Sequence, residues 1–402
     1  MRVLYLHQFF TTREGTGGTR SYEFARHLVR SGHEVTMVTA ARARPGRRAV
    51  DGIEVREVGG ASPDYVSATS RGYASRVAGF ARFTVAAARE GLRGPRPDVV
   101  LATSPPLTIG LAGIAAARRW RIPFVFEVRD LWPEAPIQMG ALDSRRAQRI
   151  ARALERVTYR AAAHVVALSP GMRDGVVAAG TAAQRVTLIP NASDLELFSP
   201  GVDPGDLRAR LGLEGFFVAS YFGTMGEAND LTQVLDAATL LRERGEHYVA
   251  FVLQGDGKRR EALEAGVRAR GLSNLHLLPA GDKHSAARLA AASDACMTIF
   301  KDVPILATNS PNKLFDTFAA GRAAIVNTGG WQRQLVEDNE AGLYAHPGDP
   351  GHLADQVLRL RDDPELTARM GANARRLAET QFDRRLLAEQ LRELLEKVAG
   401  GG

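Results

Sequence analysis

Phe198-Ser199-Pro200-Gly201 divides the sequence into two series of the same kind. Pro and Gly so close together mark a linker rather than an element. On either side of it, short apolar runs alternate with amphipathic stretches of helical period. Before it, residues 3–6, 34–39, 53–57, 98–102, 123–127, 164–168 and 186–189 read as strands, with helices over 18–30, 107–119 and 144–162 between them. After it, strands are expected over 216–222, 248–253, 275–277, 295–299, 323–326 and 342–344. Helices over 350–360, 364–379 and 384–398 close the chain. Apolar runs without alternation belong to strands buried on both faces, hence to parallel sheets covered by helices. The expected architecture is therefore α/β, with two doubly wound, Rossmann-like domains facing across a cleft. Their bounds are set at 1–195 and 203–380, with 381–402 a helix that crosses back to the first domain. The linker near 199–201 would act as a closing hinge.

Composition narrows the function. A chain of 402 residues suits two or three domains, and its single cysteine, Cys296, rules out an intrachain disulfide. With one Cys and nine scattered His, a structural zinc site is not expected, and no paired-carboxylate Asp-x-Asp triplet occurs to hold a divalent metal. The net charge of +7 raises nucleic acid as a partner. However, no helix-turn-helix, RNA-binding aromatic pattern or zinc finger accompanies it, so no nucleic-acid partner is expected. An anionic small substrate or an anionic membrane surface suits the excess equally well. No apolar run approaches the roughly 20 residues of a membrane span. The opening run is too short for a signal peptide, which makes a cytoplasmic protein the expectation.

Four segments carry candidate chemistry. Gly15-Thr16-Gly17-Gly18-Thr19-Arg20 follows the first strand and opens a helix, where backbone N–H groups can approach an anion. Arg129-Asp130-Leu131-Trp132-Pro133-Glu134 follows a strand, so that Asp130 and Glu134 can orient sugar hydroxyls or act as acid and base. The alternative is a loop ion pair under a packed tryptophan. Gly223 and Thr224, then Gly255 and Asp256, mark two glycine loops at equivalent strand ends of the second domain. The fourth segment runs from Thr308 to Gly321. There Asn309, Ser310 or Asn312 can cap a helix, Pro311 suits its first turn, and Lys313 adds a positive charge toward a bound phosphate. Asp316, about a turn further on, can accept from a ribose diol. Each segment also has a plain reading as loop or core, and Cys296, inside an apolar strand, is read as core.

Taken in order, Gly17-Gly18, Arg129–Glu134, Ile189-Pro190-Asn191, Gly223, Gly255-Asp256-Gly257 and Leu314-Phe315-Asp316 with Ala319-Ala320-Gly321 resemble the family 4 retaining glycosyltransferases of the GT-B fold. Their spelling is similar to the bacterial branch that adds amino sugars during surface-polysaccharide assembly. The resemblance implies transfer of a sugar, an N-acetylated hexosamine or a related one, from a UDP-sugar to an acceptor hydroxyl with retention. It implies no metal and no cofactor beyond the UDP-sugar substrate, and a leaving phosphate that itself takes the acceptor's proton. Asp316 matches the residue implied to hold the ribose. Thr308 stands where the family carries a glutamate, and Arg129 where it carries a histidine. Met225 with Asn229 or Asp230 occupies the stretch where many members place a diphosphate-binding Arg and Lys. Lys313, Arg20 or Arg129, with the amides of Gly17 and of the 309–313 loop, would take over that charge. Readings left open are a UDP-sugar 2-epimerase of the same fold and an inactive sugar-nucleotide-binding protein.

The helix expected over 144–162 carries Arg145, Arg149, Arg152, Arg156 and Arg160 on one face. Ile150, Leu154, Val157 and Ala161 form an apolar stripe roughly 120° away, taking about 100° per residue. That stripe is expected to face the core. The arginine face is then either solvated or a dock for an anionic membrane, which would make the protein peripheral on its inner face.

Overall fold

The structure, a computed structural model, describes residues 1–15, 17–60 and 73–401. Thr16 of the first glycine loop lies outside them. The first sheet is built from β1 (Arg2–Leu6), β2 (Glu34–Ala40), β3 (Gly46–Val50), β4 (Ile53–Val58), β5 (Val99–Thr103), β6 (Phe124–Val128), β7 (His164–Ala167) and β8 (Val186–Leu188). Its order is β3-β4-β2-β1-β5-β6-β7-β8, parallel throughout except where β3 runs antiparallel beside β4. The second sheet holds β9 (Phe217–Phe222), β10 (Val249–Gln254), β11 (Leu275–Leu278), β12 (Ala295–Thr298), β13 (Ala323–Val326) and β14 (Gly342–Tyr344), all parallel, in the order β11-β10-β9-β12-β13-β14. In each sheet the order reverses beside the domain's first strand, between β1 and β5 and between β9 and β12. Such switch points open a crevice beyond the carboxyl ends of the strands.

The apolar runs became strands because both faces are covered. β5 and β6 are buried at every position, and so are β12 and β13. β3 was not expected from the sequence. Its residues, Gly46-Arg47-Arg48-Ala49-Val50, lie at the exposed edge, where backbone pairing to β4 rather than burial makes the strand.

The helix Arg384–Gly400 lies on the helix Arg20–Arg30, and its Leu387, Leu391 and Leu395 share a core with Val3, Tyr5, Leu28 and Met37 of the first domain. Burying each of those leucines is worth roughly 1.5–3 kcal/mol. The chain crosses between domains twice, and the crossings touch. Ser193 N–H donates to the Phe382 carbonyl at 2.7 Å, and Arg384 N–H to the Ser193 carbonyl at 3.2 Å. The crossing therefore sits at residues 193–194 and 382–384, a few residues from the 199–201 stretch expected as the hinge.

The Arg145–Ala161 helix corrects an expectation. Thr158 and Tyr159 are its buried residues, with Leu154 partly buried against the same core. Ile150 and Val157 point to solvent, so the predicted apolar stripe is not the packing face. The helix meets the core chiefly through its last turns, where Tyr159 tilts against Phe126.

Candidate active site

The helix Asn312–Ala319 of the second domain meets the first domain at its N-terminal end, where Asn191 bonds to Ser310 and Gly18 lies against Asn312. Pro311, with φ −77° and ψ 126°, is its N-cap, and no side chain caps it, contrary to the expectation for Asn or Ser. Its first residue reaches the first domain. A Cβ on Gly18 would stand 3.0 Å from Asn312 Nδ2 and 3.3 Å from Arg129 Nη2, so the absence of a side chain there keeps three segments in contact. The second-domain glycine loops serve each other in the same way. A Cβ on Gly255 would lie 1.8 Å from the Gly223 carbonyl oxygen, and the Met225 N–H donates to the Asp256 carbonyl at 2.9 Å. The exposed Asp256 side chain accepts from the Gly257 N–H at 2.7 Å. The Thr224 carbonyl accepts from the Tyr221 hydroxyl at 2.6 Å.

Lys313 sits over this junction. Its Nζ donates to the Tyr221 hydroxyl at 2.6 Å and lies 4.0 Å from the centre of the Tyr221 ring and 5.3 Å from that of Phe300. With its amide turned so that both ends find partners, Asn229 accepts from the same ammonium at 3.3 Å. No carboxylate pairs with Lys313 among the described residues, and burial pushes its pKa down to about 7. An ammonium held by aromatic faces, a hydroxyl and an amide keeps its charge available for an anion.

Arg129 approaches from the other side. Its N–H donates to Ser104 Oγ at 3.1 Å, and its Nη1 lies 3.3 Å from His7 Nε2. A guanidinium has only donors, so His7 Nε2 accepts and Nδ1 donates to Ser21 Oγ, 2.8 Å away. Burial, with Arg129 beside it, holds His7 well below its usual pKa and neutral. Asp130 is half-buried, makes no side-chain hydrogen bond among the described residues, and has its pKa pushed up to about 6 by burial against the opposing pull of Arg129. If the ionised Asp130 assists transfer, kcat/KM falls as pH drops through about 6. Asp130→Asn should abolish that limb, and a pH–rate profile of both proteins checks it.

Four expected site residues are engaged elsewhere. Arg20 is buried under the site. Its Nε donates to Glu127 Oε1 at 2.9 Å and its Nη2 to the Ile189 carbonyl at 2.8 Å, while Nη1 donates to the Pro190 carbonyl. With its donors so occupied it does not reach a diphosphate. Glu134 accepts from Arg152 Nε at 3.0 Å and Nη2 at 2.8 Å, which turns it toward the Arg145–Ala161 helix and removes Arg152 from the free arginine face. Ser310 faces the first domain, where its Oγ accepts from the Asn191 N–H at 3.1 Å and its carbonyl from the Asn191 amide. Asn309 uses its carbonyl to accept from Gln332 Nε2 at 3.3 Å.

Asp316 is 2% exposed, and one of its oxygens accepts from Lys283 Nζ at 2.5 Å. The other, Oδ1, is buried with no partner among the described residues. Burial raises its pKa against the pull of Lys283. Thr308 donates to the Ile305 carbonyl at 2.7 Å and packs its side chain against Gly171, where a Cβ would come within 2.9 Å. Sequence reasoning missed Lys283, His7 and the Tyr221 hydroxyl. Lys283 opens a helix 33 residues before Asp316, and nothing in its local spelling marks the pairing. Cys296 is fully buried, as expected for core. Among the described residues no cluster of His, Cys, Asp and Glu fit to hold a metal is found, and no helix is long and apolar enough to cross a membrane.

Comparison with known proteins shows the family. A family described as a glycosyl transferase 4-like domain matches residues 15–192, and glycosyl transferases group 1 matches residues 217–363. The chain is 25% identical over 255 residues to an alpha-D-kanosaminyltransferase of Streptomyces kanamyceticus, covering 62% of this chain and 64% of that protein. It thus spans less than two thirds of that relative's length. It is 28% identical over 394 residues to a D-inositol 3-phosphate glycosyltransferase of Thermomonospora curvata, covering 90% of this chain and 87% of the relative. Among solved structures, HepE of Anabaena in complex with UDP-glucose superposes with a TM-score of 0.74 at 20% identity, covering 99% of this chain and all of that one.

Proposed function

This chain belongs to family 4 of the GT-B glycosyltransferases, and on that footing we propose that it moves a sugar from a UDP-linked donor to an acceptor hydroxyl with retention of configuration. The observation that carries the reading is Lys313, an ammonium at the junction of both domains with no carboxylate partner among the described residues. The diphosphate would lie between it, Arg129 and the amides of Gly17, Gly18, Asn312 and Lys313 itself. Such preorganised donors stabilise a leaving diphosphate without a metal. The unpartnered Oδ1 of Asp316 would accept from the ribose, with Lys283 fixing the other oxygen.

In the transfer, the acceptor oxygen bonds to the anomeric carbon on the face the diphosphate leaves. As the old bond to phosphate oxygen breaks, the acceptor's proton passes to that oxygen. Asp130 faces the sugar or the acceptor. With Thr308 in place of a carboxylate, Asp130 takes on the reading of sugar hydroxyls. An N-acetylated hexosamine or related sugar suits the amino-sugar branch that the motifs resemble. A peripheral place on an anionic membrane suits the arginine-rich helix.

The test is thermal unfolding with UDP, GDP, ADP and dTDP, with and without EDTA. A ligand at a hundred times its Kd adds about 2.7 kcal/mol, a shift of several degrees. A shift selective for UDP and indifferent to EDTA is the expected result. No shift with any of the nucleotides would remove the transferase reading.

A further inference from the structure

Three helices lie side by side on one face of the first sheet: Tyr73–Gly91, Ile109–Trp120 and Arg145–Ala161. Phe83, Ala87, Ile109, Ala112 and Tyr159 bury their inner side in the core. Their outer side differs from an ordinary solvated surface in two independent ways. First, it exposes aliphatic side chains on all three helices: Val77 and Val85, Leu111, then Ile150 and Val157 at 70% and 51% exposure. Second, its charge is one-sided. The three helices carry eleven arginines against two glutamates, and both glutamates turn away from solvent. Glu90 pairs with Arg47 at 3.0 Å and Arg56 at 3.5 Å, while Glu155 bonds to the Tyr159 hydroxyl.

On the Arg145–Ala161 helix the two features coincide. Arg146, Arg149, Ile150, Arg156, Val157 and Arg160 recur at helical spacing along its exposed side. Within that row the four arginines make no ion pair among the described residues. Arginine stems can lie along an apolar surface while their heads reach phosphate, which is the arrangement of a helix resting in a bilayer interface.

We propose that this three-helix face docks on an anionic lipid bilayer, with Leu111, Ile150 and Val157 at the acyl boundary and the arginines on lipid phosphates. Nucleic acid would engage the arginines but gain nothing from aliphatic groups among them. A second copy of the same face would set arginine against arginine. The face also adjoins the cleft. Arg152 holds Glu134, and Phe80 meets Trp132 edge-on at 6.2 Å, so the Arg129–Glu134 segment borders it on two sides. A bilayer under this face brings a lipid-borne acceptor beside Asp130. That last step rests on the transferase reading, whereas the docking does not.

The experiment is co-sedimentation of the full chain with phosphatidylcholine vesicles, with and without phosphatidylglycerol. Expected is binding to the anionic vesicles alone, falling as salt rises. Arg149→Glu with Arg156→Glu should weaken it about 30-fold or more. Ile150→Asp with Val157→Asp should also weaken it, with every arginine in place. All four residues are exposed, and each variant should keep the wild-type thermal shift with UDP, which separates lost docking from lost folding. No sedimentation at low salt, or binding indifferent to both pairs of substitutions, overturns the proposal. So does a dimer that the aspartate pair dissociates while vesicle binding stays unchanged. If wild type shows no UDP shift but binds anionic vesicles, the transferase reading falls and the docking stands.

Discussion

Lys313→Met should raise the donor KM about ten-fold or more. A charge-assisted hydrogen bond is worth about 1.5–3 kcal/mol, and its loss here removes a positive charge from the proposed diphosphate site. Met matches the side chain in length and sits well on Tyr221 and Phe300, so the fold should not suffer. The pH dependence identifies the group. In the free protein burial has pushed the ammonium down to about 7, so donor capture, read as kcat/KM, declines as pH rises through that value. A bound diphosphate favours the charged form and moves the decline upward in kcat. Lysine in an unfolded chain keeps its proton to a higher pH than in this site. The unfolded state therefore binds more protons from about pH 7 upward, and stability of the nucleotide-free protein rises with pH over that range. Lys313→Met should remove both dependences. Steady-state kinetics across pH check the first and unfolding midpoints the second, and an unchanged KM would remove Lys313 from the site.

Removing one partner of the Arg20–Glu127 pair should cost about 3–5 kcal/mol, because the other charge is left buried and uncompensated. Both side chains are essentially sealed from solvent, at 2% and 0% exposure. Glu127 Oε2 also accepts from Thr103 Oγ1 at 3.0 Å, so the pair ties β5 and β6 to the first turn of the helix at Arg20. Glu127→Ala is therefore expected to lower the denaturant midpoint sharply. Arg20→Met combined with Glu127→Leu should recover much of the loss, since a packed apolar pair carries no stranded charge. Arg20 also fixes the carbonyls of Ile189 and Pro190, next to the Asn191–Ser310 bridge. The double variant should consequently fold yet bind donor less well. Equal donor affinity in wild type and the double variant would show that the bridge does not depend on Arg20.

The architecture was legible in the sequence because doubly covered strands must be apolar along their whole length. β3 was not, since an exposed edge strand needs only a partner for its backbone. Glycine loops could be found for a similar reason. A close approach such as Gly255 against Gly223 admits no side chain, and that demand is local. Charged residues are another matter. Arg20 and Lys313 both stand in the first turn of a helix, yet one is neutralised by Glu127 from 107 residues away and the other meets no carboxylate among the described residues. The Arg145–Ala161 helix shows the same gap. Period gave its apolar stripe, but whether a core or solvent lay opposite was set by its neighbours.

The double crossing at Ser193 and Phe382 would restrict any closing motion of the two domains. Two bodies joined by one flexible thread can tumble in any direction, whereas two threads lying side by side behave as the pins of a door. Swinging about the line through them disturbs the fewest contacts, since twisting or sliding would stretch one crossing against the other. Points far from that line travel an arc, and points near it hardly move. In such a swing the bond from Ser169 to the Thr308 carbonyl, made across the junction, would act as the latch that sets where it stops.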